Sequence, residues 1–394
     1  MNKNTSARLI TALAALTLLG STAAQAQTTY TWDTTIAADA TITDGAGTWT
    51  TGAGNWNDGA TSDGINWTDG DSAIFGGGTE GTAGTVVLGS NITTAATQTG
   101  ISFSLPFDGS YTLDTSTFTL TTGGIKLNGG SAAVLIESTG VGGKIELNAT
   151  NTWSISNGPL TVTSQITGAF GINKFGAGHM YLSNDNNSFT GALSLNNGGN
   201  TYLATIKNSG VNSAAGAGSK IIIGNNADLF YTGSGDSTDR TLQVGNANSI
   251  IYNNGTGALV FTGAFANTNN NTSTKTLTLG GSNTDANEIQ GAIIDSTTNS
   301  NPLNLTKLDA GTWKLSGANT YTGKTLISTG TLQVNAADVA ATSGALGNGG
   351  AIDFSGGTLQ YSALSAGTDY GSRFGDSASF IRLDTNGQDV TLAS

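Results

Sequence analysis

The sequence predicts an all-β protein, a right-handed parallel β-helix (β-solenoid) with an aromatic cap at its N-terminal end, and three observations carry that expectation. Apolar residues come as apolar-x-apolar doublets set among Gly, Asn, Ser and Thr. The doublets return at a near-regular spacing, and two long segments repeat each other. Alternation with a period of two over a few residues makes a very short strand with one face inward. A solenoid needs such a strand to recur once per winding.

In chain order, residues 1–26 read as a secretory signal. Lys3 and Arg8 supply the positive start, Leu9 to Leu19 the apolar run, and Ala24-Gln25-Ala26 the small-residue cleavage pattern, so the mature chain is expected to begin at Gln27. The apolar run falls short of the ~20 residues that a membrane-spanning helix needs, so a retained anchor is the weaker reading.

Residues 27–117 form a Trp-rich capping region with the first coils. Trp32, Trp49, Trp56 and Trp67 are four of the six tryptophans in the chain. One use of them is an aromatic plug that closes the first coil from water; the other is a platform on which sugar rings stack. Solenoids need their ends closed, which favours the plug.

Residues 118–394 carry the doublets: Phe118/Leu120, Ile125/Leu127, Leu193/Leu195, Leu259/Phe261, Leu277/Leu279, Trp313/Leu315, Leu332/Val334, Ile352/Phe354 and Ile381/Leu383. Leu259 to Leu277 is 18 residues, Trp313 to Leu332 is 19, Leu332 to Ile352 is 20, and the pair Ile293/Ile294 lies 20 before Trp313. This spacing predicts coils of ~18 to 22 residues, about 17 to 18 turns and a rod on the order of 85 Å at ~4.8 Å per turn. The best helix candidate, Ala336 to Ala341, is barely more than a turn. Asp44-Gly45, Asp58-Gly59, Asn128-Gly129 and Asn254-Gly255 would suit the hairpins of a β-sandwich. The strands are too brief and too evenly spaced for that alternative.

The repeated segments are Lys174-Phe-Gly-Ala-Gly-His-Met-Tyr-Leu-Ser with Ser188-Phe-Thr-Gly191, and Lys307-Leu-Asp-Ala-Gly-Thr-Trp-Lys-Leu-Ser with Thr320-Tyr-Thr-Gly323; an eroded third copy runs from Leu277 through Gly291. Gly178, Gly191, Gly311 and Gly323 are expected where coils turn at positive φ. Leu182 and Leu315 should point inward. Asn186 and Asn319 are expected to bond to backbone or to neighbouring Asn, and Phe189 and Tyr321 to lie over the coil edge and cover core, with simple packing as their favoured role.

The second segment, continued by Thr331-Leu-Gln-Val334, resembles the autotransporter-associated β-strand repeat of bacterial passenger domains. Copies are clearest at 172–204 and 305–334. Ala345-Leu-Gly-Asn348 and Gly356-Gly-Thr-Leu359 are similar to the stretch downstream of that repeat in such proteins, and the run from Trp32 to Gly76 is similar to the starts of large members. The resemblance implies an exported surface passenger, outer-membrane-associated or extracellular. Autotransporters close with a membrane barrel, whereas Ser379 to Ser394 continues the doublet pattern with Ile381/Leu383 and Val390/Leu392. That departure predicts no membrane insertion by this chain itself and a fragment of a longer protein.

Composition narrows the function further. Net charge is −12, and without Lys3 and Arg8 it becomes −14, from 12 basic and 26 acidic residues. Such a sign repels nucleic acid and anionic lipid. The absence of Cys removes disulfides, thiolate metal sites and thiol nucleophiles. Gly at 58 residues without a three-residue period, beside only 3 Pro, excludes collagen.

Acidic candidates for chemistry are Asp58, Asp63, Asp69 and Asp71, and Asp236 with Asp239 beside Arg240; turn structure is the favoured role and weak Ca²⁺ binding the alternative. His179, the one histidine, stands where the other copy has Thr312, which a general base would not. No catalytic, cofactor or metal residue is assigned. The expected function is a non-catalytic stalk or adhesin-like display surface, with extracellular glycans or other cell-surface proteins as partners. Two alternatives stay open: a glycan-active β-helix lyase or hydrolase, and a carbohydrate-binding module using Trp32, Trp49, Trp56 and Trp67.

Overall fold

In a computed structural model, the described residues are 27–35, 41–59, 64–78, 80–97, 99–104, 109–128, 132–268, 270, 273–340, 342–375 and 380–393. The expected secretory signal lies outside them, as does Asp63.

The chain is an all-β parallel solenoid without an α-helix among the described residues. Its strands are mostly two to five residues long and pair with the coil before and the coil after, in parallel. Two thirteen-stranded sheets form two faces. Face one runs from Thr29–Trp32 and Ser72–Phe75 down to Phe265–Asn267; face two runs from Gly47–Trp49 to Ile352–Phe354. A third face is built early by the leading halves of Thr119–Asn128 and Lys144–Ile155, and later by a seven-stranded sheet from Asp236–Thr238 to Leu383–Asp384. Both long sheets cross position 117/118 without a break, since Ile101–Ser104 pairs with Ile125 to Asn128.

Alternation explains why such short strands hold. Along Val134–Glu137, Pro159–Val162, Thr241–Val244 and Thr331–Val334, alternate side chains are buried. Each inward residue lands on an inward residue of the next coil. On face two the column is Leu160, Met180, Thr201, Leu229, Ile251, Leu279, Lys307, Ile327 and Phe354. On face one it is Ile101, Ile125, Trp153, Lys174, Leu195, Ile223, Val244 and Asn267. The core is therefore one continuous filament inside three walls.

The coil length departs from the sequence expectation. Met180 lies beside Thr201, 21 residues on, but Thr201 lies beside Leu229, 28 on. Some doublets that appeared one coil apart stand on different walls: Leu259 is on face three and Leu277 on face two. Twelve steps between the thirteen strands of face two, at ~4.8 Å each, make a stack of about 60 Å instead of 85.

Three further expectations change. Residues 336–340 form a turn with a bridge from Val339 to Ser343, not a helix. Gly178, Gly191, Gly311 and Gly323 do not take positive φ; a Cβ at each would run into the neighbouring coil, as Gly311 would into the carbonyls of Gly281 and Asn283. Close backbone approach is what excludes a side chain there. Finally, the doublets Ile381/Leu383 and Val390/Leu392 continue the pattern only in part: Leu383 and Val390 pack against the core, whereas Ile381 is 45% exposed and Leu392 39%.

Candidate functional site

The repeated segments build corners. Lys174 and Lys307 each stand in an otherwise mostly apolar column, fully buried, and turn their ammonium groups to the next bend. Lys174 Nζ donates to the carbonyls of Gly176 (2.5 Å) and Gly198 (2.8 Å). Lys307 Nζ donates to those of Leu308 (2.6 Å), Asp309 (2.7 Å) and Thr329 (3.2 Å). Burial pulls both ammonium groups down to about 8, with Asp228 and Asp309 acting in the opposite direction. The left-handed residue at the bend is Gly176 in one copy and Asp309 in the other.

Further along each copy an Asn is buried and bridges three coils. Asn319 Oδ1 accepts from Ile293 N at 2.8 Å and its Nδ2 donates to Ala345 O at 2.6 Å. The partner in the first copy is Asn187, which accepts from Ile166 N and donates to Ala214 O. Asn186, expected in that role, is exposed; the inserted residue precedes it and shifts the register by one. Leu182 and Leu315 are buried as expected, and Phe189 and Tyr321 are packed fully inside the core.

The two copies occupy different walls. Lys174 is on face one with His179–Leu182 on face two, whereas Lys307 is on face two with Thr312–Leu315 on face three. One sequence pattern thus turns two different corners.

Trp32, Trp49 and Trp56 are 0% exposed and Trp67 3%, packed against one another and Phe75 with ring centroids 4.9 to 5.9 Å apart. Burial leaves no indole face on which a sugar could stack, which corrects that alternative. The chain turns back here: Thr29–Trp32 pairs antiparallel with Trp56–Asn57.

Four of the acidic candidates accept from backbone amides. Asp71 accepts from Thr28 N (2.9 Å), Asp69 from Thr93 N (2.9 Å) and Trp67 Nε1 (3.1 Å), and Asp239 from Ser209 N (2.7 Å). Asp236 accepts from Ile206 N (2.9 Å) and the Tyr231 hydroxyl (3.0 Å) and pairs with Lys207. Arg240 is buried and, among the described residues, bonds to no carboxylate: it donates to the carbonyls of Lys207, Val211, Ala215 and Gly216 and to Ser213 Oγ. Burial lowers it to about 10. These groups tie down the long connection 204–219. His179 is exposed, its Nδ1 accepting from Asn200 N at 3.3 Å. Among the described residues no three His, Cys, Asp or Glu converge.

Two features escaped sequence reasoning. Tyr181, Tyr202, Phe230 and Tyr252 stack on the outer side of face two, with centroids 4.4, 4.9 and 4.3 Å apart and planes within 25°. Each is the middle residue of an inward pair, but their separations of 21, 28 and 22 residues hide the ladder until the registers are known. The other is an open recess of about 430 Å³ lined by Asp338, Thr368, Asp369 and Ser372. Burial raises Asp338, which accepts from the Tyr370 hydroxyl at 3.2 Å; amides of Ala393 and Gly371 lower Asp369.

The passenger-associated-transport-repeat family matches residues 172–202 and 305–334. Over 128 residues, 32% of this chain, the sequence is 41% identical to the adhesin BmaC autotransporter of Brucella suis biovar 1 (strain 1330). The match spans 4% of that relative's length. No solved structure matches.

Proposed function

We propose that this chain, an autotransporter passenger-like repeat protein, is a length of exported, non-catalytic surface fibre that holds an adhesive or display face away from the cell. The observation that carries the reading is the unbroken parallel register from Gly47–Trp49 to Ile352–Phe354. A stack of that kind makes a stiff rod whose outward residues are free to vary without touching the core. The relative named as an adhesin supports the surface role. Glycans and cell-surface proteins are the partners such a face would meet.

Protease shaving and antibody labelling of intact source cells test the location. Residues of faces one to three should be labelled without permeabilisation, and deletion of the coding region should reduce attachment to host or abiotic surfaces. Labelling that needs lysis would end the reading. A glycan-active enzyme is the second reading, and the recess favours it because Asp338 and Asp369 both line it, one carboxyl raised and the other lowered, as acid–base work needs. Release of reducing ends from polysaccharide that stops with Asp338→Asn would favour it.

A further inference from the structure

A groove of about 360 Å³ runs where face two bends toward face three, across four consecutive coils. Its side-chain lining is Ser138, Thr163, Gln165, Asn184, Asn186 and Asn212, and glycines form the rest. No lining residue is ionisable. The volume falls within the ~300 to 1,000 Å³ of small-molecule sites.

The floor is fixed by bonds within the chain. Asn184 Nδ2 donates to Thr163 O (2.8 Å), Gln165 Nε2 to Asn186 O (2.7 Å), and Ser138 Oγ to Ser116 O (2.7 Å). The side-chain amides of Asn186 and Asn212 make no such bond among the described residues and both are exposed. Asn212 rides on the connection 204–219, which is longer than the matching connections of the coils above. That wall is held from beneath by Arg240, bonded to Val211 O, and by Ser213 N donating to Asn187 O. The buried guanidinium therefore fixes the backbone of a surface loop, so the wall that carries Asn212 needs no reordering before use.

We infer that this groove is a binding site for a neutral, hydroxyl-rich chain, an uncharged oligosaccharide laid along the rod axis. Each primary amide offers donors and an acceptor, the complement of a sugar hydroxyl that must both give and receive. The lining crosses four coils spaced ~4.8 Å apart, and each contributes at least one uncharged hydroxyl or amide side chain, so an extended sugar chain meets polar, uncharged groups at every step. An acidic polysaccharide finds no cation in the lining and a chain of net charge −12 around it. The inference deepens the display reading by assigning one face a ligand class, but the site is assayed on purified protein and stands or falls apart from where the protein resides.

The test is ligand-observed NMR and calorimetry on the purified full chain, with neutral gluco- and manno-oligosaccharides and with oligogalacturonate as the acidic comparison. Neutral probes should bind and oligogalacturonate should not. Asn186→Ala with Asn212→Ala should weaken binding about tenfold, as expected for two lost hydrogen bonds, with the circular dichroism spectrum unchanged. Absence of binding by every neutral probe at millimolar concentration, or equal binding by the double variant, overturns the site. Surface labelling of intact cells reads the display function independently of either outcome.

Discussion

Lys307 and Gly330 meet across a coil so closely that a Cβ added at Gly330 would stand 2.7 Å from the Lys307 ammonium. Lys174 and Gly199 repeat the relationship in the other copy, and both glycines hold left-handed φ, +65° and +68°. Gly330→Ala should therefore cost about 1 to 3 kcal/mol through backbone strain, and more because the added Cβ also meets the backbone carbonyls of Asp309 and Gly311, which cannot retreat as a lysine side chain can. Urea unfolding reads it; a loss under about 0.5 kcal/mol would show that the corner has slack.

The same lysines predict an alkaline gain in stability. Below pH 8 they are protonated in both folded and unfolded chains. Between about 8 and the ordinary 10.5 the unfolded chain holds more protons than the folded one, so unfolding free energy rises with pH across that window. Buried phenols such as Tyr321 and Tyr370, raised by burial, work the other way, but only above their ordinary value of 10. Urea midpoints measured from pH 8 to 10 should climb, and Lys174→Met with Lys307→Met should flatten the climb. An equal slope in the double variant would remove the lysines as its source.

Neighbouring asparagines should behave differently. Asn187→Ala and Asn319→Ala each strand a buried amide and a buried carbonyl and should cost roughly 2 to 6 kcal/mol, from ~1 to 3 kcal/mol per unpaired group. Asn186→Ala should stay within about 0.5 kcal/mol. Thermal melts of the three variants decide; a costly Asn186→Ala would restore the register read from sequence.

Trp56→Ala should cost about 3 to 5 kcal/mol, the usual range for emptying a large aromatic site. We expect the damage to be local because each coil touches only its neighbours. Hydrogen exchange should accelerate in Ser72–Phe75 and Thr85–Leu88 and remain unchanged in Ile352–Phe354. Uniform acceleration would deny the indole cluster its proposed task of closing that end of the core.

The wall-and-core alternation was readable because a period of two survives in fragments as short as Leu332-Gln333-Val334. Coil length was not, since nothing local tells whether Leu277 comes after Leu259 by a coil or by a wall. The tryptophans were legible as a cluster, and only packing decided their burial. Tyr181 and Tyr202 gave no local sign of each other, because a stack along the axis is a property of register alone. Arg240 stood out beside Asp236 and Asp239, but its partners are carbonyls of a loop more than twenty residues away, which charge patterning cannot foresee.

That one corner pattern serves between faces one and two at Lys174 and between faces two and three at Lys307 has an evolutionary consequence. Gene duplication need not copy a full revolution to remain threadable: a segment covering a single bend can be spliced in, and everything downstream rotates by a third of a circle while its stacking partners change. Such fibres can lengthen in fractional increments and swing a chosen patch to a new azimuth without inventing a new core.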